Sequence, residues 1–330
     1  MTIKLRFLLL FFSLFFESCF KKNKEHIQKD EKKTFIQSLK KFDRVDFYDK
    51  IFAFPKEMIP FLKKHPKHHI YADILNHQNI KRSEIKLFKD VLKEIPLFFK
   101  KKIEKKLLAI FLVKGIGSSG FTELLPNEKG VILLNVERLK RTFNKWCSHK
   151  ESSPFDEGKI KIVCQVDTNV KTASHNAILY TLLHELAHLL EIKTPFLPTI
   201  SSKKNLKAFP FTKLSWEGSP YHFSALTDKT FYLRPSLKFF DLRPKLKNYF
   251  IPLVYKQFLG SNFVTLYGSI NYVEDFAESI AHYIYVNKMK KPYKITIQKE
   301  KRVLLIVKSC WEEDRCKKKK EIIEKILFSK

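Results

Sequence analysis

The sequence predicts an α+β fold: a small sheet over one long helix, preceded by a mainly helical region. Three observations lead there. Apolar runs at Leu107–Val113 and Val131–Leu134 flank a glycine-containing stretch, Gly115 to Gly120, which reads as strands joined by a turn. Ile160, Ile162, Cys164 and Val166 alternate with Lys159, Lys161, Val163 and Gln165, the period of two of a half-buried strand. From about Ala173 to Ile192 the apolar positions Ala177, Ile178, Leu182, Leu186, Leu189 and Leu190 instead fit a helix, with Thr172 or Ser174 as candidate caps.

Lys4 and Arg6 precede the apolar run Phe7 to Phe16, which is too short to span a bilayer. Residues 1–18 therefore read as a signal peptide. Cys19 follows directly and resembles the lipid-bearing cysteine of a bacterial lipoprotein. The expected product is an extracytoplasmic protein anchored to the membrane through Cys19; secretion without lipid is the alternative. Residues 19–34 are dominated by charge and read as a solvated tether. From 35 to 106 apolar residues recur at helical spacing between Pro55, Pro60, Pro66 and Pro96, predicting several short helices. His65, His68, His69 and His77 lie there in no ligand spacing and read as surface histidines.

The remaining chain, 107–330, is expected to form the functional domain. Gly115 to Gly120 lacks the Gly-Lys-Ser/Thr ending of a phosphate loop, so the turn reading stands. Residues 193–260 are rich in proline and aromatics and fit no regular pattern. A second long helix is predicted from Tyr272 to Val286, and a charged amphipathic one from Lys317 to Phe328. Cys147, Cys164, Cys310 and Cys316 in an exported chain predict two disulfides. The local pairing, Cys147 with Cys164 and Cys310 with Cys316, is preferred among three. No CxxC pair is present, which argues against a thiolate metal site. The net charge of +29 comes mostly from lysine, without the arginine forks or motifs of base readers, so nucleic acid is not the expected partner.

The chemistry concentrates at His184-Glu185-Leu186-Ala187-His188, an HExxH motif on the predicted helix. Histidines four apart share a helix face, so both imidazoles can reach one zinc ion, and Glu185 can serve as general base towards water. A third ligand must come from elsewhere. Glu274, Glu278 and His282 follow one another at four-residue spacing on the second helix. Phe276, Ala277, Ile280, Ala281, Tyr283 and Ile284 mark that helix as buried, and buried charges must be paired or bind metal.

With Tyr267-Gly268 and the run Glu274-Asp275-Phe276-Ala277-Glu278, the chain resembles the gluzincin zinc metallopeptidases, most closely the catalytic-domain type of anthrax lethal factor. The resemblance implies a zincin-like fold and a zinc-dependent hydrolase acting on protein or peptide. It implies His184, His188 and Glu274 as zinc ligands, Glu185 and Tyr267 as catalytic groups, and Glu278 as partner of a ligand histidine. The interval from His188 to Glu274 is longer than the family pattern and is expected to form an insertion, a substrate wall or lid. A non-catalytic zincin fold and a basic surface-binding lipoprotein are the alternatives.

Overall fold

The structure is a computed structural model that describes residues 37–56, 59, 79–125, 127–168, 174–199, 202–240 and 246–329. Cys19, the signal peptide, the tether, Thr172 and His65, His68, His69 and His77 lie outside the described residues.

The fold is α+β. A four-stranded sheet has the order β1-β2-β4-β3, from β1 (Ile51–Ala53), β2 (Leu107–Val113), β3 (Gly120–Leu124) and β4 (Gly130–Asn135). β1, β2 and β4 are parallel, and β3 runs antiparallel along the edge. Every residue of β2 is buried, as its unbroken apolar run requires of a central strand covered on both faces. One face packs Leu39, Phe42, Phe54, Phe111 and Val113 together. The other belongs to the main core, which also contains α1 (Arg82–Leu92), α2 (Leu97–Ile103), α3 (Phe143–Ser152) and α4 (His175–His188).

Two expectations change here. The runs at Leu107 and Val131 are parallel neighbours rather than partners across a turn, because β3 returns between them. β3 reads Gly-Phe-Thr-Glu-Leu, a half-buried edge without an apolar run, which hides it from pattern reading. The region 35–106 is also not purely helical. It supplies β1, too short to show a period, and its Phe47, Ile51, Phe88 and Val91 join the same core as the HExxH helix.

β5 (Ile160–Gln165) forms the predicted half-buried strand, but in a separate antiparallel sheet with β8 (Lys294–Lys299) and β9 (Arg302–Lys308). The interval after His188 carries the short hairpin of β6 (Trp216–Gly218) and β7 (Phe223–Ala225), then α5 (Ile251–Leu259). It is no loose lid. Trp216 is fully buried and its Nε1 donates to Asp275 at 3.0 Å, and Phe211 meets Phe276 edge-on at 5.1 Å. Asp275 lies on α6 (Tyr272–His282), whose N-terminus is capped by Asn271 accepting from the amides of Val273 and Glu274. The tail helix α7 (Asp314–Phe328) brings Lys319 to Asp275, with Nζ 2.7 and 2.9 Å from its two oxygens and both side chains fully buried.

Cys310 and Cys316 form a disulfide at the entry to α7. The second expected bridge is absent: Cys147 on α3 and Cys164 on β5 are buried free thiols. Burial, with Cys164 as neighbour, pushes the Cys147 thiol well above its usual range, so the pair packs as small hydrophobes where α3 covers β5.

On α3, Glu151 is also buried and accepts a hydrogen bond from Tyr255 at 2.6 Å. Burial outweighs Lys150 and Tyr255 and raises its pKa from 4.5 to about 7. The folded state therefore favours the protonated carboxyl. Its stability contribution is intact below pH 4.5 and is lost as pH rises through about 7. Glu151→Gln should match wild type near pH 4 and exceed it by about 2–3 kcal/mol near pH 8, measured by urea unfolding. Equal differences at both pH values would refute the assignment.

Candidate metal centre

α4 is apolar almost all round and buried from Asn176 to Ala187, so its polar residues are held inside the protein. His184 and His188 turn the same way, with ring centroids 4.9 Å apart and their Nε2 atoms 3.2 Å apart. α6 packs against α4 and presents Glu274, whose backbone amide is fixed by the Asn271 cap. Oε2 of Glu274 stands 3.2 Å from Nε2 of His184 and 3.9 Å from Nε2 of His188. It has no hydrogen-bond partner among the described residues. One ligand atom from each of His184, His188 and Glu274 falls within 4.8 Å of the others.

The far nitrogens of both rings face carboxylates. Nδ1 of His188 meets Glu191 at 2.5 Å. Nδ1 of His184 lies 3.0 Å from Oε1 of Glu278, within ion-pair range though short of hydrogen-bond alignment. Glu278 is itself held by Lys150 (2.7 Å), Tyr180 (2.9 Å) and Thr265 (2.8 Å), all donating to its oxygens. Such partners set which nitrogen carries the proton and leave the other lone pair facing inward.

Glu185 points to the sheet edge. Thr122 of β3 donates to its Oε2 at 2.8 Å. A Cβ at Gly120 would come within 2.9 Å of its Oε1, so a side chain there would press on the carboxylate. Tyr267 closes the opposite side, its ring 6.0 Å from that of His184 and 5.0 Å from that of Phe239. Lys150 Nζ lies 4.2 Å from the Tyr267 ring centroid, a cation–π contact that ties the ring to the network around Glu278. The turn at Tyr267 is a short 3-10 helix, Tyr267–Ser269, and Gly268 is not in the left-handed region. His282 goes elsewhere: its Nδ1 accepts from Trp311 at 2.8 Å, and burial lowers its pKa to about 3.

The electrostatics favour a cation. Burial disfavours an imidazolium, yet Glu274 and Glu278 outweigh it and push His184 up to about 10. Glu191 and Glu274 likewise raise His188 against burial. Burial raises Glu185, and opposed by burial the histidines still hold Glu274 below its usual range. Four carboxylates thus surround two imidazoles, and an inward-facing oxygen lacks a donor. The donor set of two imidazoles and one carboxylate fits a metal with an open coordination position.

Of the residues expected from sequence, His184, Glu185, His188, Tyr267, Glu274 and Glu278 are all brought to one place. Glu191, Thr122, Lys150, Tyr180 and Thr265 were not foreseen. Glu191 had a signal, three residues after His188 on the same helical face; the others arrive through tertiary packing. No family model, curated protein or solved structure matches the chain. The group His184, His188 and Glu274 could hold a metal ion.

Proposed function

We propose that the chain is a zinc-dependent metallopeptidase of gluzincin type with a zincin-like fold, acting outside the cytoplasm on protein or peptide. The observation that carries this reading is Glu274 Oε2 meeting the inward nitrogens of His184 and His188, with Glu185 beside them. Bound at these residues, zinc would supply Lewis acidity, making water a nucleophile at neutral pH and polarising a carbonyl. The protein's own groups divide the remaining work. Glu185 takes the proton of the attacking water and returns it to the leaving amine. Tyr267 donates its hydroxyl to the carbonyl oxygen as charge develops there. Glu278 and Glu191 orient the two imidazoles.

The intact Glu185 weighs against a non-catalytic relative. The Cys310–Cys316 disulfide is consistent with an oxidising destination, which export by the signal peptide would provide, with the lipid anchor at Cys19 holding the protein there.

Glu274→Ala should abolish stoichiometric zinc, measured by metal analysis after dialysis. Glu278→Ala should retain zinc with an affinity lower by roughly 10–100-fold. Full zinc occupancy in the Glu274 variant would remove this residue from the site, and with it the gluzincin reading.

A further inference from the structure

Next to Tyr267 lies a rim of aromatic and basic side chains. β4 ends at Asn135, whose side chain accepts from the amides of Glu137 and Arg138 and so starts a single helical turn, Val136–Leu139. Arg138 extends over Phe240, with Cζ 5.9 Å from the ring centroid. The Phe240 ring lies 6.5 Å from that of Tyr267 and 6.3 Å from that of His149. Trp146, on the same helix as His149, donates to Ser119 at 2.8 Å and ties this rim to the start of β3, where Glu185 stands. Arg138, His149 and Phe240 therefore border one end of the site.

Arg138 is half-buried, and neither it nor Arg141 makes an ion pair among the described residues. Burial and then Arg141 lower the Arg138 pKa; burial and then both arginines lower that of His149. Among the described residues no acid pairs with Arg138, and an unpaired charge is costly for a group partly removed from water. Phe240 holds a left-handed φ of 58°, fixed by its amide donating to Ser153 at 3.1 Å. Backbone strain of this kind persists where the surroundings enforce it, and functional sites are common hosts.

We propose that Arg138 forms a subsite for a substrate carboxylate, one aromatic ring away from Tyr267, so that the enzyme acts on peptides carrying an acidic group near the scissile bond. This rests on the peptidase reading. A guanidinium presents a planar fork that matches a carboxylate, and Phe240 supplies an apolar floor beneath it. The carboxylate can belong to an Asp or Glu side chain or to the peptide's own C-terminus.

The test uses zinc-loaded Glu185→Gln protein, which holds peptide without cutting it, and fluorescent peptides differing only as Glu or Gln at one position, each with a free or amidated C-terminus. The acidic peptides should bind more tightly, and Arg138→Gln should reduce that preference by roughly tenfold or more. Lys145→Gln, which removes the same charge from an exposed position, should leave it unchanged. Preference surviving amidation identifies a side-chain carboxylate; preference lost on amidation identifies the C-terminus. Equal binding of acidic and neutral peptides, or a preference untouched in the arginine variant, overturns the subsite. Failure of wild type to bind zinc or cleave a peptide pool overturns the peptidase reading instead.

Discussion

Glu185→Gln is expected to lower turnover by about 10²–10⁴-fold, the range for loss of a positioned general base. The amide keeps the volume and can still accept from Thr122, which sits 2.8 Å from the carboxylate in wild type. It cannot take a proton. The room left by Gly120 suits either group. Zinc content should therefore remain at wild-type level, and the thermal transition should shift little. The measurement is cleavage of a peptide pool, read by mass spectrometry, alongside metal analysis of the same samples. A zinc-loaded variant that cleaves as fast as wild type would exclude Glu185 as the base.

Tyr267→Phe should reduce turnover by roughly 10²-fold while sparing zinc binding, the scale for a lost oxyanion donor. The ring is held from three sides, by Phe239, His184 and the Lys150 ammonium, and phenylalanine keeps these contacts. Burial and then the charges of Glu274, Glu278 and Glu185 push the phenol well above its usual pKa, so it stays protonated and able to donate. The effect should fall on kcat rather than KM, because the hydroxyl meets charge that exists only in the transition state. Unchanged kcat on a substrate that Glu185→Gln cannot cleave would leave Tyr267 as a packing residue.

What the sequence disclosed follows from the range of each interaction. His184 and His188 could be placed on one face because helical spacing is local. Glu274 required the second helix and the offset from Tyr267. Lys150 could not be found this way: it meets Glu278 across 128 residues, and nothing around Phe143–Ser152 distinguishes it from the many solvated lysines of a strongly basic chain. Edge strand β3 was missed because a half-buried strand with Gly, Thr and Glu shows no apolar alternation. The cysteines show the reverse error. Compartment argued for two bridges, but the core around Cys147 and Cys164 accommodates thiols, and oxidation there is not needed to hold α3 on β5.

The Lys319–Asp275 pair carries a consequence for the order of synthesis. Asp275 follows Glu274 directly, on the helix that must be buried for the site to close, and its counter-charge is encoded 44 residues later. At roughly 5–20 residues per second, Lys319 leaves the ribosome several seconds after Asp275. Until then, burying α6 would enclose an unpaired carboxylate, at a cost of several kcal/mol. Bringing Glu274 up to HExxH is therefore expected to wait for α7, so the two halves of the candidate site, 90 residues apart from His184 to Glu274, close only once a helix that contributes no ligand has docked.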